Sequence, residues 1–78
     1  MKIDQIIKLI RNTETITVIR KIDQYKKHNQ YWYYLDCNLN TDIEVDDIKI
    51  AKHGNYTLSE SNFRIVYSFF YKRGFRKI

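Results

Sequence analysis

The chain has 78 residues, with 14 Lys and Arg against 9 Asp and Glu (net charge +5), 44% hydrophobic and 15% aromatic residues, two glycines and no proline. So short a chain is expected to form one small α+β domain over residues 1–78, which excludes a multi-domain enzyme with a cleft between lobes. Its apolar content excludes a disordered basic tail, and its apolar runs are too short to span a bilayer.

In chain order, Ile3, Ile6, Ile7 and Ile10 fall at i, i+3, i+4 and i+7, the stripe of an amphipathic helix. This predicts a first helix over residues 2–11, with Asp4 in its first turn and Asn12 as a left-handed terminator. Residues 15–22 are rich in β-branched side chains and predict a first strand. A polar, basic connection follows over 23–29. Residues 30–37, Gln-Tyr-Trp-Tyr-Tyr-Leu-Asp-Cys, carry the strongest strand signal, and 38–42 reads as a turn.

Residues 43–52 alternate, lose parity at Asp46-Asp47 and resume it. That predicts one bulged strand or two short ones, with a short helix as the alternative. His53-Gly54-Asn55 reads as a loop. A second helix follows, capped by Ser59 or Ser61, with Phe63, Val66, Tyr67, Phe70 and Tyr71 inward and Gly74 just past its end. Residues 75–78 form a basic tail or a short extra strand. The expected fold is therefore α-β-β-β-α, a two-layer sandwich with a three-stranded antiparallel sheet and both helices on one face.

Such a sandwich leaves one sheet face uncovered. Parity places Trp32 and Tyr34 there, beside Ile19 and Lys21. Exposed rings next to a cation suit base stacking or a protein interface; packing beneath a loop is the alternative. Ile65 and Phe69 fall outside the inward arc of the second helix, to be covered by the tail, by a target or by a second copy. Charge is segregated. Residues 36–47 hold five acids and no base, and 64–78 hold five bases and no acid. The C-terminal cluster (Lys72, Arg73, Arg76, Lys77) and the loop cluster (Lys21, Lys26, Lys27, with His28) are expected to form one positive patch.

Catalytic and metal chemistry find little support. One Cys and two His cannot supply a zinc site. Asp42, Glu44 and Asp46 have calcium-loop spacing, but Asp47 stands where Gly belongs and His53 where Glu belongs. No phosphate loop is present. Cys37 reads as a packing residue, and no cofactor is expected. A single cysteine and the absence of an apolar leader suit the cytoplasm. Twelve Ile, nine Lys and six Asn against one Ala suggest an AT-rich genome, as in many phages and their hosts.

Two families resemble this layout. With His28 near the start of the second strand, the chain is similar to small RNase toxins of the double-stranded-RNA-binding fold, which implies His28 as a general base. The Gly-Ser those toxins carry before the histidine is here Lys26-Lys27. The opening Met-Lys-Ile-Asp-Gln-Ile-Ile-Lys-Leu-Ile-Arg-Asn and the Thr/Ile strand after it resemble some phage-encoded anti-CRISPR proteins over residues 1–74. That resemblance implies a non-enzymatic inhibitor of a CRISPR effector. The acidic, DNA-mimicking members of that group differ from this basic chain, so contact with an acidic protein face or with RNA is the physical alternative. Trp32, Tyr34, Ile65 and Phe69 are then the expected apolar anchors.

Overall fold

The computed structural model describes residues 2–23 and 30–78, with side chains for 5–22 and 30–78. The segment expected to be the first helix is strand β1 (Lys2–Arg11), which pairs antiparallel with β2 (Glu14–Asp23). Isoleucine is stiff at χ1 and packs well on a pleated surface, and a lone ten-residue helix is marginal in water. Pairing with the Thr/Val/Ile-rich β2 outweighs the helical stripe. Asn12 does adopt the left-handed conformation, φ 54°, but as the first residue of a two-residue hairpin turn.

β3 (Gln30–Asn38) pairs with β2, with Val18 opposite Leu35 and Ile19 opposite Tyr34. The parity break at Asp46-Asp47 is a turn between two short strands, β4 (Ile43–Val45) and β5 (Ile48–Ile50). Asp46 stands at φ 52° in that turn. The neck of this excursion is closed by Leu39 N–H donating to the Lys52 carbonyl (2.7 Å) and Lys52 N–H donating to Asp42 (2.8 Å).

The predicted loop at His53 begins strand β6 (His53–Ser59), paired with β3. Gly54 sits at φ 153°, where a Cβ would lie 3.3 Å from the Tyr56 hydroxyl. That hydroxyl in turn accepts from Ala51 N–H (2.8 Å). Strand β7 (Arg76–Lys77) pairs with β1 at the far edge.

Among the described residues the fold is thus a five-stranded antiparallel sheet, order β6-β3-β2-β1-β7, with a separate β4-β5 pair and one helix. This corrects the expected three-stranded sheet with two helices. The gain in strand comes from the first isoleucine run and from residues 53–59.

The helix, α1 (Glu60–Lys72), is capped by Ser59, whose hydroxyl accepts from Asn62 N–H. Gly74 at φ 96° ends it. Phe75 N–H donates to the Phe70 carbonyl and Gly74 N–H to that of Tyr71, both 3.1 Å, the two bonds of a Schellman motif. The Phe70 and Phe75 rings meet edge-on at 5.0 Å to complete it.

The helix packs over β3 and β6 and against β4. Its inward arc is narrower than the sequence suggests: Phe63, Val66 and Phe70 are buried, whereas Tyr71 is 52% exposed. Phe63 stacks on Tyr33 at 3.9 Å and 5°. Leu9, Ile16, Val18, Leu35, Cys37 and Leu58 add to the sheet's contribution, and Leu39, Ile43, Val45 and Ile50 bring the β4-β5 pair into the same core.

Candidate functional site

Side chains alternate along a strand, so each strand offers half its residues to the helix and half to the opposite face. The cross-strand pairs Ile6–Ile19, Lys8–Thr17, Ile19–Tyr34, Lys21–Trp32 and Tyr34–Thr57 define that opposite face. No helix or strand among the described residues packs over it. Trp32, Tyr34, Ile19 and Lys21 are half-buried there, and Ile6 is 62% exposed. The Lys21 ammonium lies 4.8 Å from the centroid of the Tyr34 ring, a cation–π distance that ties the cation to the aromatic surface. Beside them a shallow depression of about 370 Å³ is lined by Thr17, Ile19, Lys21, Tyr34, Asn55 and Thr57 among others.

The twelve residues singled out in the sequence fall in separate places. Lys21, Trp32 and Tyr34 share the open face. Ile65, Phe69 and Lys72 line a groove between α1 and Val45 on the helix side of the molecule, together with Arg64 and Ser68. Ile65 is 39% exposed, whereas Phe69 packs partly on the core and has the Arg73 guanidinium 5.6 Å from its centroid. Arg76 lies 4.6 Å from the Tyr71 ring and donates to the Tyr71 and Phe75 carbonyls. Lys77 is exposed on the edge strand. Lys26, Lys27 and His28 lie outside the described residues.

The single positive patch expected from the sequence is not formed by the bases that are described. Arg73 stands at the β1-β2 turn, where its carbonyl accepts from Arg11 (2.8 Å). Lys21 lies seven residues further along β2 than Glu14, roughly 23 Å away at about 3.3 Å per residue. Helix dipole and carbonyl capping account for the positions of Lys72, Arg73 and Arg76 at the helix end.

Reading residues 2–11 as a helix hid Ile6, Lys8 and Ile10, which belong to the open face. The signal that places them was present: two β-branched runs separated by two residues that include an Asn. Asn55 was hidden in the same way by the predicted loop at 53–55, and Thr57 lay in the stretch before the second helix to which no element was assigned.

Two buried groups have the chemistry of structure. Glu14 is only 1% exposed, and its carboxylate accepts from Arg11 at 2.8 and 3.2 Å and from Asn40 N–H at 3.0 Å. The Asn40 hydrogen bond first, and then the Arg11 side chain, hold its pKa below the ordinary carboxylate value against the opposing effect of burial. This knot joins the β1-β2 turn to the β3-β4 connection and, through Arg11, to the helix end. Cys37 is buried, and desolvation, reinforced by Asp36, pushes its thiol up to about 11. A thiol so protonated is a poor nucleophile. Among the described residues no three His, Cys, Asp or Glu side chains converge as metal ligands, and no helix is long and apolar enough to cross a membrane.

Comparison with protein families, with curated proteins and with solved structures finds no match.

Proposed function

We propose that the chain acts by binding rather than by turnover, laying the open face of its sheet on a host nucleoprotein and blocking it by occupancy. By its resemblance to phage-encoded anti-CRISPR proteins, that nucleoprotein is a CRISPR effector. The early helix in that resemblance is replaced by β1, so the open face now supports the reading more than element order does. The carrying observation is the grouping of Trp32, Tyr34, Ile19 and Lys21 on a sheet face that no described element covers. Aromatic anchors flanked by a cation are the composition of binding hot spots. The protonated, buried Cys37 argues against thiol catalysis in the same molecule.

The test is target cleavage by purified effector–guide complexes with and without the chain. Inhibition saturating near one chain per complex, and lost in Trp32→Ala and Tyr34→Ala, is the expected result. Unchanged cleavage by every effector type tried, with no complex on gel filtration, overturns the reading.

A further inference from the structure

The open face has a definite chemistry. Trp32 and Tyr34 project from one strand a single side-chain repeat apart, about 6.6 Å. Lys21 sits across from Trp32, and Lys8 stands on the next strand outward. Among the described side chains the one acid on this face is Asp36, whereas Asp42, Glu44, Asp46 and Asp47 are gathered on the β4-β5 excursion, which packs on the helix side.

The complementary occupant is therefore an anion that carries flat, apolar rings. A duplex holds its bases stacked within, out of reach of rings on a sheet; unpaired bases can splay onto such a platform while their phosphates meet the lysines. The Lys21–Tyr34 contact of 4.8 Å puts a phosphate-binding charge within reach of a base stacked on the neighbouring ring. The depression beside Tyr34, bounded by Asn55 and Thr57, supplies hydrogen-bonding side chains for a base edge.

We infer that the open face binds single-stranded nucleic acid, with bases on Trp32 and Tyr34 and phosphates on Lys21 and Lys8. This rests on the open-face reading above and specifies what in the nucleoprotein is touched.

Trp32 is the one tryptophan, so its fluorescence reports on the face directly. The full chain is titrated with labelled oligo(U) and oligo(dT) of roughly 12 nucleotides, and with a duplex of the same length, at about 50 mM salt and above. Single strands are expected to bind at least tenfold more tightly than duplex and to quench Trp32. The log–log salt slope is expected near −1.4, about −0.7 for each of two phosphates. Tyr34→Ala should weaken binding about tenfold or more, and Lys21→Gln should flatten the slope by about 0.7. Circular dichroism checks that both variants are folded; Lys21→Gln removes only two methylenes from a partly exposed side chain and serves if Tyr34→Ala does not fold.

Four results overturn the inference: no binding at low salt, equal affinity for duplex, binding indifferent to both substitutions, or a dimer in sedimentation with Trp32 buried between copies. If single strands are not bound but an effector complex still is, and Trp32→Ala abolishes that complex, this inference falls and the open-face reading stands. If both fail, both fall.

Discussion

The two faces of β2 and β3 are built from alternate residues of the same strands, yet they differ in almost every property. Ile16, Val18, Tyr33 and Leu35 are at most 5% exposed beneath the helix, while Thr17, Ile19, Lys21, Trp32 and Tyr34 are half-buried on the other side. The covered face holds the apolar area that stabilises a chain of this size, where little is to spare. The open face contributes less to folding, and its rings and cations remain partly exposed to solvent. A substitution's effect should thus depend on parity more than on residue type, and each experiment below probes that division.

The largest effect is expected from Phe70→Ala. Phe70 is 1% exposed and touches both Phe69 and Phe75, and truncation of such a ring costs about 3–5 kcal/mol by denaturant unfolding. A loss under 1 kcal/mol would contradict the proposed core.

Arg11→Ala should follow at about 2–3 kcal/mol, because it leaves the buried Glu14 carboxylate without its cation; Arg11's own partial exposure holds the figure below the full buried-pair cost. The same knot sets the acid response. A carboxyl whose folded pKa is depressed stabilises the protein fully above the unfolded value, about 4.3, and loses that contribution as pH falls through the folded value. Glu14→Gln should therefore flatten the acid limb of the stability curve, and an unchanged limb would show that another group carries it.

Cys37 acts at the other end of the scale. Its thiol is pushed up to about 11, so the unfolded chain ionises first, and stability should fall as pH rises from about 8.5 towards the folded value. Cys37→Ala removes that slope, while its smaller volume lowers stability at every pH. Labelling by a thiol reagent at neutral pH should be slow and should track opening of the fold.

The smallest effect is expected from Trp32→Ala, within about 1 kcal/mol in unfolding despite the loss of the largest side chain on its face. Equal losses in Trp32→Ala and Phe70→Ala would erase the distinction between the faces.

Local chemistry was enough to define several parts of this molecule. A cap at Ser59 or Ser61, the helical spacing from Phe63 to Tyr71 and Gly74 bound α1 to within a turn, because capping and helical period act over one or two turns; the structure takes Ser59. The β-branched and aromatic runs placed β2 and β3, and parity placed Trp32 and Tyr34 opposite the core. Only the tertiary structure decided the state of residues 2–11. Their isoleucines follow a helical stripe and lie on both faces of a strand, so periodicity favours the helix; the two-residue gap at Asn12 only permits a hairpin, and pairing with β2 makes the choice. Burial of Glu14 and separation of the C-terminal bases from Lys21 were likewise invisible, since both depend on which ends of the sheet the helix and the turns meet. Short-range rules specify where a chain turns and which side of a strand is apolar; long-range pairing determines what covers that side and which charges become neighbours.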